Sequence, residues 1–116
     1  MGPVLVVDDD PSIRETVRDV LEEQGYPVVT AADGGEALAR AGELTPRLVL
    51  LDMRMPGVDG WQFARALRAR GISPPVVVMT AAADAGRWAA EIGAIGVVSK
   101  PFAITELIGA VERYSA

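Results

Sequence analysis

The sequence contains no cysteine and no histidine, and its single lysine is Lys100. Without cysteine there is no disulfide framework and no thiolate metal site. Without histidine there is no imidazole base, no imidazole metal ligand and no phosphohistidine of its own. Acid–base or metal chemistry therefore falls to carboxylates, hydroxyls and one ammonium group. Long apolar runs are missing too, and nothing approaches the roughly 18 residues of a membrane span. Asp8, Asp9 and Asp10 arrive before a signal-peptide core forms. No membrane contact is expected, and the cytoplasm is the expected location. Cations are scarce: 11 Lys and Arg face 16 Asp and Glu, a net charge of −5. A phosphate-binding surface needs clustered Lys and Arg, so direct nucleic-acid binding is not expected.

What is present reads as one folded unit. Of 116 residues, 50% are hydrophobic and 23% charged, the balance of an ordinary globular domain. One domain over residues 1–116 is the expectation. Short apolar runs alternate with helix-period segments five times. Val4-Leu5-Val6-Val7 is apolar at every position, the mark of a strand covered on both faces. Ile13, Val17, Val20 and Leu21 follow at helical spacing, with Asp10 as cap, Pro11 at the first helical position and Gly25 closing. Val28 to Ala31 predicts a second strand. Asp33 with Glu36 predicts a capping box on a short helix through Ala37, Leu38 and Ala41.

Leu48 to Leu51 is a third strand, followed by a turn at Met55-Pro56-Gly57 and a helix from about Trp61 to Arg70. Pro75 to Met79 is a fourth strand, before an alanine-rich helix from Ala85 to Glu91. Ile95 to Val98 is a short, glycine-weakened fifth strand. Ile104, Leu107, Ile108 and Val111 stripe the last helix. Apolar strands with helical crossovers predict an α/β fold, a doubly wound parallel (βα)5 sheet.

In such sheets ligands bind beyond the carboxyl ends of the strands. Those ends carry Asp8-Asp9-Asp10, Asp52, Thr80 and Lys100. Taken singly, each has a plain role: a solvated aspartate, a threonine capping the next helix, a surface lysine. Together they are a site. Converging carboxylates repel unless a cation joins them, and an all-oxygen donor set selects a hard ion such as Mg²⁺ or Mn²⁺. Asp8, Asp9 and Asp52 would then balance the metal and Lys100. Such a site suits phosphoryl transfer, where positioning and charge neutralisation supply most of the catalysis.

Four segments carry a resemblance: Val-Val-Asp8-Asp9-Asp10, Leu-Leu-Asp52-Met-Arg-Met-Pro56-Gly-Val-Asp59-Gly60, Val-Met79-Thr80-Ala81 and Ser-Lys100-Pro101-Phe102. In this order they resemble the receiver (response-regulator, CheY-like) domain of two-component signalling. The resemblance implies a flavodoxin-like fold of strand order 2-1-3-4-5. It implies that Asp52 accepts a phosphoryl group from a histidine kinase or a histidine phosphotransfer protein. Asp9 would bind Mg²⁺ directly, Asp8 largely through water, and Arg54 through its backbone carbonyl. Thr80 would hydrogen-bond the phosphoryl group, Lys100 would pair with it, and small Ala81 would keep the pocket open. A cis peptide between Lys100 and Pro101 is also implied. Such a domain is not a separate enzyme; it catalyses its own phosphorylation and slow dephosphorylation. Output would pass to a downstream protein target or a C-terminal output domain, with phosphorylation-dependent homodimerisation left open.

The resemblance breaks at Val97, where receivers usually carry Tyr or Phe as a switch coupled to the threonine. The stretch from Thr80 to Gly96 is also about two residues short. Arg54 is a long cation beside the metal site, either a solvated residue paired with Asp59 or Glu36 or a gate on phosphoryl access. Trp61 and Trp88 read as helix residues partly packed on the surface, with Trp88 a candidate partner anchor. Two other functions compete. One is a phosphorylation-independent interaction module on the same fold, favoured by Val97. The other is a haloacid-dehalogenase-like phosphatase with Asp8 as nucleophile, disfavoured by the lack of a later acidic pair and of a cap domain. Flavin binding is disfavoured because a flavin phosphate would face three carboxylates.

Overall fold

The computed structural model describes residues 2–115. Five strands and five helices alternate along the chain: β1 (Val4–Val7), α1 (Pro11–Glu23), β2 (Val28–Ala31), α2 (Gly34–Leu44), β3 (Leu48–Asp52), α3 (Gly60–Ala69), β4 (Val76–Thr80), α4 (Ala85–Ile92), β5 (Gly96–Ser99) and α5 (Ile104–Tyr114). All strand pairs are parallel, in the order β2-β1-β3-β4-β5. This is the flavodoxin-like arrangement implied by the sequence resemblance.

The all-apolar strands divide their side chains between two cores, because successive residues point to opposite faces. Val4, Val6, Leu48, Leu50, Val77, Met79 and Val98 pack under Val17 and Leu21 of α1 and Leu107 and Val111 of α5. Leu5, Val7, Val49, Leu51, Val76 and Val78 pack under Ala37, Phe63, Leu67, Trp88 and Ile92 of α2, α3 and α4. Both faces are covered, which is why no strand of the central three alternates with polar residues.

Local details depart from expectation. Asp10 caps α1 by accepting from the Ser12 N–H. At α2, Asp33 accepts from the Glu36 N–H, but the Glu36 carboxylate reaches the N–H of Ala32, so the predicted box forms only half. The complete capping box lies at α3, between Asp59 and Gln62. α2 runs on past Ala41 to Leu44, while β4 and β5 each start one residue later than their apolar runs. The weakness of the fifth strand also has a packing reason. A Cβ at Gly96 would lie 2.7 Å from the Tyr114 ring, so the glycine makes room for the end of α5.

A second glycine positions the site. Gly60 opens α3 directly beneath the end of β3, donates to the Met53 carbonyl, and would place a Cβ 2.8 Å from Met53 Cα. Backbone cannot yield there as a side-chain tip can. Gly60→Ala is expected to destabilise the protein by about 3 kcal/mol, at the upper end of overpacking costs. Urea unfolding should show a lower midpoint with an unchanged slope.

Candidate functional site

Parallel strands deliver their carboxyl ends to one edge of the sheet. β1 and β3 pair with Val7 opposite Leu51, so the next residue of each chain segment, Asp8 and Asp52, emerge as neighbours. β3 and β4 pair with Asp52 opposite Met79, which puts Thr80 one step farther out. Thr80 lies opposite Ser99, and its carbonyl accepts from the Lys100 N–H. Register alone therefore gathers four of the residues singled out from the sequence.

Asp8 is fully buried and spoken for on both oxygens: Oδ1 accepts from the Asp10 N–H at 3.0 Å and Oδ2 from Lys100 Nζ at 2.6 Å. Arg14 braces the same turn from α1 by donating to the Asp8 carbonyl at 2.7 Å. Asp52 is 7% exposed and faces a cleft lined by Arg54, Thr80, Ala81, Ala82 and Lys100. Its Oδ1 accepts from the Arg54 N–H at 3.2 Å, and its Oδ2 lies 3.9 Å from Lys100 Nζ. Asp9 is exposed at the rim. Thr80 Oγ1 accepts from the Ala82 N–H at 3.1 Å, which leaves its own proton free to donate. The threonine closes a loop turn; α4 begins at Ala85, with Asp84 at the cap position.

The charges are out of balance. Burial, then the Asp8 carboxylate, push the Asp52 carboxyl from 3.8 up to about 6, with a smaller push from Asp9. Lys100 and the Arg54 N–H pull it the other way. One carboxylate oxygen from each of Asp8, Asp9 and Asp52 lies within 4.8 Å of the others. Three negative charges against one lysine leave a deficit of two, which a divalent ion would cancel. The donors are all hard oxygen, and the chain holds no histidine or cysteine to draw a softer metal. The residues fit Mg²⁺ or Mn²⁺.

Two readings from the sequence need correction. Arg54 pairs with neither Asp59 nor Glu36, which are engaged in capping α3 and in holding the Ala32 N–H. Its guanidinium carbon sits 4.9 Å from the centre of the Trp88 ring. Trp88 is not a surface anchor, since it is 6% exposed and part of the core under α4. Trp61 packs edge-on against it, with ring centres 5.0 Å apart. Ala81 borders the cleft, and the Lys100–Pro101 bond is cis. Val97 lies on the α4 face of β5, opposite Val78, and is more than a third open to solvent. The sequence assigns no positioning role to Arg14, a residue on the outer face of the first helix, or to Gly60, quoted only within the resemblance. A cation one turn into the helix after Asp10 was the available signal for the first; a glycine directly after a capping aspartate was the signal for the second.

The family model described as "Response regulator receiver domain" matches residues 4–112. The DNA-binding response regulator MtrA of Mycolicibacterium smegmatis is 42% identical over 110 residues, covering 93% of this chain and 48% of that protein. The DNA-binding transcriptional regulator NtrC of Salmonella typhimurium is 40% identical over 114 residues, 97% of this chain and 24% of that protein. Among solved structures, the chemotaxis response regulator CheY4 of Vibrio cholerae superposes with a TM-score of 0.90 at 35% identity, covering 98% of both chains. The chain thus spans about half the length of MtrA and about a quarter of NtrC.

Proposed function

This chain belongs to the response regulator receiver domain family, and we propose that Asp52 is its phosphoacceptor, with residues 1–116 acting as one receiver domain. The observation that carries the reading is Asp52 at the floor of an open cleft, within reach of Asp8, Asp9 and Lys100. In the proposed transfer an Asp52 oxygen attacks phosphorus in line, and the bond from phosphorus to the donor's imidazole nitrogen breaks as the acyl phosphate forms. The imidazole leaves with the electron pair of that bond. The Lys100 ammonium moves from its carboxylate partners to the incoming oxygens, and the free Thr80 proton donates to another. Asp8, Asp9, Asp52 and the Arg54 carbonyl would hold the divalent ion. When bound there, the ion would supply neutralisation of charge on the group in transfer. Water attack on the acyl phosphate then releases inorganic phosphate and resets the site slowly.

Asp52 suits the nucleophile's place better than Asp8. Both Asp8 oxygens are already occupied and the side chain is almost wholly buried. That weighs against a phosphatase using Asp8. The donor we propose is a histidine kinase or a histidine phosphotransfer protein, met in the cytoplasm. Output passes to a downstream protein or to a C-terminal output domain, as the longer relatives suggest. Among the described residues, no helix is long and apolar enough to cross a membrane.

Intact-mass spectrometry after incubation with acetyl phosphate tests the reading. The wild type should gain one phosphoryl group of about 80 Da, only with Mg²⁺ or Mn²⁺ present. Asp52→Asn should gain none, and Asp8→Asn should gain it more slowly. Label that persists in Asp52→Asn and vanishes in Asp8→Asn would instead support the phosphatase. A folded wild type that takes no label would support the phosphorylation-independent module.

A further inference from the structure

The rim of the acceptor cleft holds a cation whose partner is an aromatic ring. Among the described residues, the carboxylate contacts of the site belong to Lys100, and none lies within 4.0 Å of the Arg54 guanidinium. The guanidinium instead rests over Trp88 at 4.9 Å, while Arg54 also lines the cleft that contains Asp52, Thr80 and Lys100. One side chain therefore stands between the acceptor and α4.

We propose that Arg54 is a movable anion-binding residue, seated on Trp88 while Asp52 is unmodified and turned onto the phosphoryl oxygens once Asp52 carries them. The inference rests on Asp52 being the acceptor. Phosphorylation brings further negative charge and three acceptor oxygens to the cleft. A guanidinium presents a planar fork of donors that matches two such oxygens at once. Because Arg54 is itself exposed to solvent, its contact with the indole is among the weaker attractions open to it, so the new anion displaces the ring. Stacking on Trp88 also keeps the side chain ordered near the cleft, which lowers the entropy lost when it turns.

The departure has a built-in reader. Trp88 belongs to α4 and contacts Trp61 of α3 edge-on at 5.0 Å. Trp61 Nε1 in turn donates to Glu91 of α4 at 3.0 Å. Loss of the cation from Trp88 alters one end of this chain, and α4 receives the change at both Trp88 and Glu91. These are the only two tryptophans in the protein. Emission excited selectively from tryptophan therefore comes from this pair, of which Trp88 carries the Arg54 contact.

The test uses beryllium fluoride with Mg²⁺ as a phosphoryl mimic on the full chain. Fluorine NMR detects the bound adduct, and tryptophan emission detects the seat. Wild type, Arg54→Lys and Arg54→Ala should all form the adduct, because the substitutions leave the backbone carbonyl at position 54 in place. Wild-type emission should change as the adduct forms and not with Mg²⁺ alone. Arg54→Ala should show the altered emission from the start, with no further change. Its adduct should bind roughly tenfold more weakly, the scale of one charge-assisted hydrogen bond. Arg54→Lys should fall between, since it keeps the charge and loses the fork. Equal affinity and equal emission change in Arg54→Ala and wild type would overturn the proposal, as would a full change with Mg²⁺ alone. Absence of any bound fluorine signal in the wild type would overturn the acceptor reading itself and this inference with it. That failure is recognisable because the NMR signal depends on neither tryptophan.

Discussion

Asparagine in place of Asp52 is expected to stabilise the metal-free protein near neutral pH while abolishing its capacity to accept a phosphoryl group. The native carboxyl is raised from 3.8 to about 6, burial being the largest cause and Asp8 the next. A raised carboxyl pKa means that folding favours the protonated form. Well below pH 3.8 both folded and unfolded states hold the proton, so the carboxyl costs nothing. Between pH 3.8 and about 6 the unfolded chain gives up the proton while the folded one keeps it, so the penalty builds across that window and is constant above it. A shift of about two units corresponds to roughly 3 kcal/mol at full ionisation. Some of that is relieved by water, because the side chain is 10% exposed; a gain of about 2 kcal/mol for Asp52→Asn is expected.

The substitution is otherwise conservative. An asparagine oxygen still accepts from the Arg54 N–H, and its amide can donate toward Asp8. Urea unfolding in a chelator, repeated between about pH 4 and 7.5, should show the two proteins converging at the acid end and separating as pH rises. Saturating Mg²⁺ should close the gap by stabilising the wild type more. A gap independent of pH would mean that the Asp52 charge is not the source. The residue that performs the chemistry would thus be one that weakens the resting fold, a common arrangement where function needs a strained group.

Much of this was legible from the chain because two rules act over short distances. Strands apolar at every position need cover on both faces, and helical crossovers make them parallel; their carboxyl ends then share an edge. That logic puts Asp8, Asp52, Thr80 and Lys100 together without knowledge of any side-chain rotamer. It does not reach contacts decided by packing between helices. Arg54 looked like a partner for Asp59 or Glu36 because those carboxylates are near in sequence or in the expected loops. Capping claims both, and the guanidinium goes to Trp88, which is 34 residues away along the chain. Trp88 itself looked half-exposed because an alanine-rich helix gives a weak apolar stripe. Burial came from Trp61 and the α3 side of the core. The Asp33 capping box is half-formed for a local reason: the Glu36 carboxylate accepts from the N–H of Ala32 rather than from that of Asp33.

Loss of the Lys100 ammonium is expected to have the largest effect on the resting protein. Lys100→Met keeps the apolar stem and removes the charge 2.6 Å from Asp8 and 3.9 Å from Asp52. Asp8 has no other cation within ion-pair distance among the described residues, and it is fully buried. An uncompensated buried charge of this kind costs about 3 kcal/mol or more. Lys100 also lowers the Asp52 pKa, so its removal should push that group above 6 and leave less nucleophile at neutral pH. Chelated Lys100→Met should unfold at markedly lower urea, and saturating Mg²⁺ should restore most of the loss by neutralising the same carboxylates. Phosphorylation by acetyl phosphate should not recover in step. The ammonium is proposed to hold the oxygens of the group in transfer, and loss of one such donor costs about a hundredfold in rate. Rescue of stability without rescue of labelling separates the two roles of one side chain. The pairing with Asp52→Asn sharpens this: with one fewer negative charge in the site, Lys100→Met should cost at least 1 kcal/mol less in the asparagine background. Additive effects in that cycle would show that Lys100 and Asp52 do not feel each other, and the charge balance argued for the site would fail.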